Sequence, residues 1–416
     1  MDNNYRFDLS DYLLHFFRDI DQSGPNGISL PEHLGWHSTY EDEKLPAIFM
    51  LRAALRNGRL WATWSYRNGV RTIYGPDPAV CFSEMPLAAF VEASRRRSAR
   101  GEAMGEVALI FPKNNMRSLG ARTAIYGLSQ PNATVSSGTD GGARIFSPYV
   151  LPHVEQYRYV ADVVAPGRMV DWTHEREWRW AMRGAELTHR DEGGAAEWDQ
   201  VPGLELYQPG LSGIGAVVKT REHAELVIRD MLALIDAHVA QETAFRFVLV
   251  TDDLTSPRDI QDKQQLNETL QAASIDLTPY FLGSKLEAQT ISARFGELVA
   301  RVNREAGPAE DGELGGCWLW LHDGAEPFVR ALLKTNRAFV TKDGRYLAQL
   351  FEFSDSRSLA QREEMTDILA DHVEQEFGTK SCRFSVLHSN NPETEPFYAS
   401  PHDLSIPFYN WASRYK

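Results

Sequence analysis

The sequence predicts an α+β protein built from two globular parts. Short aromatic and β-branched runs bounded by Gly and Pro alternate with a few amphipathic helices. At 416 residues the chain is longer than one ordinary core accommodates. The stretch Arg304 to Gly316 (REAGPAEDGELGG) mixes Gly, Pro and acids just ahead of an apolar run, which marks a domain boundary. A first domain over 1–303 and a small C-terminal α+β domain over 312–416 follow from that boundary.

Leu45 to Asn57 places Ile48, Leu51 and Leu55 at helical spacing, and Gly58 suits the residue after the helix. Strands are expected at Leu60–Trp64, Ala79–Phe82, Val107–Phe111, Ala121–Tyr126, Tyr157–Val164 and Trp178–Met182. Gly184 to Gly203, with mixed charges and no periodicity, reads as a loop. A strand Ile214–Val218 leads through Thr220 into a helix with Ala224, Val227, Ile228, Met231, Leu232, Ile235 and Val239 on one face. The strand Phe245–Thr251 follows, and this strand–helix–strand unit is expected to complete the first core. The C-terminal part adds strands Cys317–Leu321, Arg345–Phe353 and Arg383–His388. Its helices are Glu326–Lys334 and one opened by Ser358 and Gln361 and closed by Gly378.

Composition narrows the function classes. Hydrophobic residues at 43% and charged residues at 24% match a protein with a real core. No stretch approaches the roughly 18 to 20 apolar residues a membrane span needs, and the acid-bearing first 20 residues are unlike a secretory signal. A soluble, cytoplasmic protein is therefore expected. Cys81, Cys317 and Cys382 stand far apart without a CxxC pair, which suits buried reduced thiols better than disulfides or zinc. A net charge of −14 opposes bulk nucleic-acid binding. Arg95, Arg96, Arg97 and Arg100 form either a solvated helix end or a phosphate contact.

Three segments set polar residues inside apolar runs. Tyr12 to Arg18 (YLLHFFR) carries His15 and Arg18, and Val80 to Leu87 (VCFSEMPL) carries Ser83 and Glu84. His174 to Trp180 (HEREWRW) carries Glu175, Glu177 and Arg179 on one strand face and Trp178 and Trp180 on the other. His15 reads as a catalytic imidazole or a hydrogen-bonded core histidine. Ser83 and Glu84 read as site residues or as a cap for the helix near Leu87. The paired glutamates read as a site or as an ion-pair ladder with Arg176 and Arg179.

The series HFF, a helix, GRLWAT (Gly58 to Thr63), CFSEMPL, Pro112-Lys113 and EREWR resembles a bacterial abortive-infection (phage-defence) family. The resemblance covers roughly residues 10–255. A weaker likeness is to ADP-ribosyltransferase-like domains, whose late ExE element Glu175-Arg176-Glu177 matches. Phe82-Ser83-Glu84 replaces their usual middle element, and Phe17 stands where a threonine is common.

That likeness implies a split-sheet first domain holding NAD as substrate in a cleft, followed by the C-terminal domain as sensor or recognition part. Glu177 would then stabilise the oxocarbenium-like ribose as the nicotinamide bond breaks, and Glu175 would orient or deprotonate an acceptor. His15 would donate to NAD, Arg18 would pair with its pyrophosphate, and Ser83 would line the nicotinamide pocket. No resident metal is implied, and the acceptor would be a protein, a nucleic acid or water, with a possible regulatory protein partner. Two other readings stay open. One is a non-catalytic binding protein using C-terminal aromatics such as Phe397, Tyr398, Phe408, Tyr409 and Trp411. The other is a metal-dependent nuclease using Glu84, Glu175 and Glu177 with Lys113. Motifs for P-loop, Rossmann, zincin and α/β-hydrolase chemistry do not occur.

Overall fold

Near-continuous apolar runs become strands that are buried on both faces. The computed structural model describes residues 10–21, 44–67, 70–101, 105–128, 133–135, 144–165, 168–170, 172–183, 189–190, 196–197, 203–254, 263–342 and 344–394. Most of the Gly184–Gly203 loop and the C-terminal aromatics Phe397, Tyr398, Phe408, Tyr409 and Trp411 lie outside these residues.

The strands of the large sheet, in chain order, begin with β1 (Tyr12–Phe16), β2 (Ala79–Ser83), β3 (Ala108–Pro112) and β4 (Arg122–Thr123). They are followed by β5 (Glu177–Ala181), β6 (Ile214–Val218), β7 (Phe245–Val250) and β8 (Ser274–Asp276). All eight form one sheet in the order β8-β7-β6-β3-β1-β2-β5-β4. The β6–β7 pair is parallel and the pairs from β6 across to β4 are antiparallel, so the sheet is mixed. An ADP-ribosyltransferase-like split sheet would set the candidate residues around a gap between two small sheets. Here β1, β2 and β5, which carry His15, Ser83 and Glu177, are hydrogen-bonded neighbours.

Helix α1 (Ala47–Asn57) starts where Pro46 sets an extended entry and Asp19 Oδ1 accepts from Ala47 N at 2.8 Å. It ends at Gly58, whose φ of 64° is the left-handed conformation expected after a helix. Helix α2 (Leu87–Ser98) buries Leu87, Phe90 and Val91 against Leu14, Ala108, Ile110, Val217 and Leu249. Each such fully buried side chain contributes about 1.5–3 kcal/mol. Helix α3 (Lys113–Ser118) follows β3 directly, α4 (Arg221–Asp236) links β6 to β7, and α5 (Lys263–Ala272) precedes β8.

The later helices are α6 (Lys285–Glu305), α7 (Pro327–Lys334) and α8 (Leu359–Phe377). With them stand β9 (Gly315–Leu321), β10 (Ala338–Val340), β11 (Tyr346–Ala348) and β12 (Ser381–Leu387), paired in the order β10-β11-β9-β12. Leu319, Leu321, Tyr346 and Ala348 form a core with Phe295, Leu298, Val299 and Val302 of α6, Phe328 and Leu332 of α7 and Leu369 and Val373 of α8. Ser358 accepts from Gln361 N at 3.3 Å, and Gly378 closes α8 at φ 71°. The Gln361 amide donates to Pro308 O at 2.8 Å instead of turning back to the cap, so the box is half made.

The chain divides into two units, Met1–Arg221 with Thr243–Ile275, and Glu222–Glu242 with Asp276–Tyr415. This differs from a division at 303–312 in two respects. Helix α6 belongs to the C-terminal core, because Phe295, Leu298, Val299 and Val302 are buried there. Helix α4, which the strand–helix–strand pattern assigned to the first core, is grouped with the second unit and contributes Ala233 to the C-terminal core. Among the described residues no helix is long and apolar enough to cross a membrane.

Candidate functional site

The register of three neighbouring strands fixes where each candidate points. Leu14 of β1 lies opposite Ser83 of β2, and Ser83 lies opposite Glu177 of β5. Directly opposed residues share a face and successive residues alternate. Leu14, Cys81, Ser83, Glu177 and Arg179 therefore share the face that α2 covers, where Leu14 meets Phe90 and Val91. His15 points to the other face, where its ring meets Phe82 at 5.8 Å and Phe17 at 5.1 Å. The expected convergence of His15 with Ser83 and Glu177 in one cleft does not occur, because the pleat separates them.

On the α2 face, Arg179 Nε donates to Glu177 Oε1 at 2.8 Å and the second guanidinium arm to Oε2 at 3.2 Å. The remaining nitrogen donates to Tyr157 O at 2.6 Å and Tyr159 O at 3.1 Å. Arg179 is buried, with 5% of its side chain exposed, against 19% for Glu177. Burial works against the Arg179 charge, yet the Glu177 carboxylate bonded to it opposes that and its pKa rises. Burial pushes the Cys81 thiol far up, and the Glu177 charge adds to that. The Tyr126 hydroxyl accepts from Glu177 N at 2.8 Å.

Ser83 is 4% exposed. Its hydroxyl donates to Glu175 O at 2.6 Å and accepts from Met85 N at 3.2 Å. It does not cap α2, whose start at Pro86 has no side-chain cap. Glu175 lies in a 3-10 turn, Thr173–Glu175, and Arg176 has φ 45°, so strand alternation begins at Glu177. The two-residue period does not extend back to Glu175, which instead meets Arg97 at 3.4 Å and His174 at 3.5 Å. Arg95 is held by Glu106 and by Thr251 O, and Arg96 by Glu92. The arginine run is thus largely tied to acids and a carbonyl.

On the opposite face, His15 Nδ1 lies 2.9 Å from Cys81 O. A carbonyl only accepts, so Nδ1 carries the proton. Burial lowers the His15 pKa, and the carbonyl bond opposes that in part. Arg18 is exposed beyond the end of β1. Glu84 receives Lys113 Nζ on one oxygen at 2.9 Å and the Trp178 indole N–H on the other at 2.7 Å. Trp178 is buried, and Arg117 stacks over it at 5.6 Å. The tryptophans thus lie on the face away from Glu177, as alternation predicts. For nuclease chemistry, Glu84 and Glu177 are on opposite faces. Among the described residues no three His, Cys, Asp or Glu side chains are placed to hold one metal ion.

Sequence reasoning missed the burial of Arg179 and the indole bond to Glu84. The alternating EREWR pattern held the signal for both, since an arginine in phase with Glu177 faces the same neighbours. A model of the family described as "Protein of unknown function (DUF4427)" matches residues 284–411. That segment runs from the start of α6 and omits α4. No curated protein and no solved structure matches the chain.

Proposed function

We propose that this chain is a non-catalytic recognition protein of the phage-defence type that its CFSEMPL and EREWR segments resemble. The observation that carries this reading is the two-pronged Glu177–Arg179 pair, which closes the carboxylate on its own buried arginine. A catalytic glutamate for nicotinamide release needs its oxygens turned to a ribose. Three further facts support the reading: Ser83 is occupied by Glu175 O, Glu175 is paired with Arg97, and His15 lies on the other face of the sheet. The net charge of −14 favours a protein partner over nucleic acid.

A surface fit for such a partner is the turn 147–154. Tyr149 is fully exposed, and Val150 and Val154 are 60% and 50% exposed. Buried Gln156 clamps the base of this turn through Phe146 N, Phe146 O and Leu151 O. A preordered apolar tip loses little entropy on docking into an uncharged hollow.

The test is incubation with labelled NAD, comparing wild type with Glu177→Gln. Neither protein is expected to release nicotinamide, and the variant is expected to melt lower. Release by wild type that disappears in Glu177→Gln at an unchanged melting temperature would overturn the proposal and restore the NAD-consuming transferase reading.

A further inference from the structure

We propose that the C-terminal aromatic segment 395–411 is an intramolecular ligand, docked on the face of the C-terminal sheet that turns away from helices α6, α7 and α8. This inference does not depend on the function proposed above. It lies within the second unit, which includes Asp276–Tyr415.

The register sorts the side chains of this sheet into two faces. Leu319 lies opposite Ala348 and Leu321 opposite Tyr346, and all four belong to the core that the three helices fill. Trp318 lies opposite Phe384, Trp320 opposite both Cys382 and Leu347, and Phe339 opposite Leu347, so these residues share the other face with Val386. There Trp320, Leu347, Phe384 and Val386 are each no more than 2% exposed. Among the described residues, the half-buried hydrophobic side chains packed against them, Trp318 and Phe339, come from the sheet's own strands. The Arg345 guanidinium lies over the Trp320 ring at 5.4 Å and over Phe384 at 5.1 Å. A sheet buries a face only against another layer.

The path of the chain points to that layer. At the start of β9, Gly316 N donates to Ser389 O at 2.7 Å. Four residues later Glu393 accepts from Lys342 N at 3.1 Å, in the turn between β10 and β11. That turn stands beside the far end of β9, because Tyr346 is opposite Leu321. Residues 389–393 thus carry the chain from one end of the sheet toward the other, and the helices already fill one face. The segment that follows starts close to Arg345. From 395 to 411 an extended chain reaches about 55 Å, several times the roughly 15 Å width of four strands. Phe397, Tyr398, Phe408, Tyr409 and Trp411 bring the rings that an aromatic face and a buried guanidinium take as partners. The family match runs on through this segment to Trp411, as it would if the segment were part of the same folded unit. These aromatics are then spent on their own sheet and not offered to a partner.

The test is maleimide labelling of the full chain, read by mass spectrometry at each cysteine, comparing wild type with Trp411→Ser. Cys382 lies on the docked face, Cys317 on the helix face beside Thr366 of α8, and Cys81 in the first unit, and all three are free thiols. Loss of one aromatic anchor is expected to speed labelling of Cys382 about tenfold while Cys317 and Cys81 keep their rates. An unchanged Cys382, or a rise that Cys317 shares equally, would overturn the inference. A second measurement needs no variant. In oxidative footprinting of wild type, Tyr398 and Tyr409 are expected to react far more slowly than the fully exposed Tyr149, at every protein concentration. Reaction as fast as that of Tyr149 would mean a free segment, and protection lost on dilution would give the face to a second copy. Either result sinks the proposal.

Discussion

Replacing Glu177 by glutamine separates a structural glutamate from a catalytic one. The wild-type carboxylate takes two donors from Arg179, which is 95% buried at its side chain (5% exposed) and has its other arm on two carbonyls. Glutamine keeps one acceptor, turns an amide toward the second guanidinium arm and removes the counter-charge. Breaking one side of a buried ion pair costs about 3–5 kcal/mol. Glu177 retains 19% exposure, so water relieves part of that. The loss is then about 2 kcal/mol for glutamine and about 3 kcal/mol for alanine. At about 2–4 °C per kcal/mol for a unit of this size, glutamine lowers the melting temperature by about 4–8 °C. Differential scanning calorimetry measures this shift. Adding Arg179→Met to Glu177→Gln removes the unpaired charge but takes the donor from Tyr157 O and Tyr159 O, so only part of the loss should be recovered. A Glu177→Gln protein that melts within about 1 °C of wild type would refute the reasoning and leave the carboxylate available for chemistry.

Four further outcomes follow from the same structure. Burial lowers the His15 pKa, so the folded state binds this proton less readily than the unfolded chain. Its contribution is present above a pH of about 6.5 and is lost as pH falls below that. Urea titrations at pH 7.5 and 5.5 should show the drop, and His15→Gln should flatten it. Burial pushes the Cys317 thiol from 9.0 up to about 11, so here the folded state holds the proton longer. That stability is present below pH 9 and is lost as pH rises toward 11, with an upper limit of about 1.4 kcal/mol per unit. Cys317→Ala should remove it, as read from stability curves at pH 8 and 10. Gln156→Ala strands Phe146 N, Phe146 O and Leu151 O and should cost about 2–4 kcal/mol by denaturant midpoint. Tyr149→Ser, at a fully exposed position, should stay within about 0.5 kcal/mol of wild type.

Elements with strong local signals were legible in the sequence. The strand Ile214–Val218 matches its apolar run, and Gly58 and Gly378 end their helices with φ 64° and 71°. Helix α6 was not anticipated, although Ala288, Ile291, Phe295, Leu298 and Val302 lie at helical spacing and Ser284 accepts from Glu287 N. Its many polar residues dilute that stripe. The placement of α4 was not legible at all. The contacts that group it with the second unit (Asp236 with Arg330 and Tyr346) join residues about a hundred positions apart. The two sides of the candidate site were missed for a related reason. Alternation along one strand is visible in the sequence, but whether His15 and Glu177 share a face depends on the register Leu14–Ser83–Glu177. A one-residue slip would have reversed the answer.

That register also explains why CFSEMPL and EREWR belong together without any appeal to catalysis. The two segments are facing halves of one antiparallel ladder, with Phe82 opposite Trp178 and Cys81 opposite Arg179. Glu84 N donates to Arg176 O at 3.0 Å, and Glu84 receives the Trp178 indole. Ser83 also donates to Glu175 O, so both Ser83 and Glu84 of one segment bond to the other. The positions are not interchangeable, because the Arg179 guanidinium also serves the carbonyls of Tyr157 and Tyr159. Exchanging the charges (Glu177→Arg with Arg179→Glu) preserves net charge and the possibility of a pair. It nevertheless aims a carboxylate at two carbonyl oxygens, so both acceptors lose their donor and face like partial charge. The exchanged protein should be less stable than Glu177→Gln, and calorimetry on the two variants checks this. If a salt bridge alone held the segments together, the exchange would cost little. If the carbonyls fix its direction, it should be the worst substitution at this ladder.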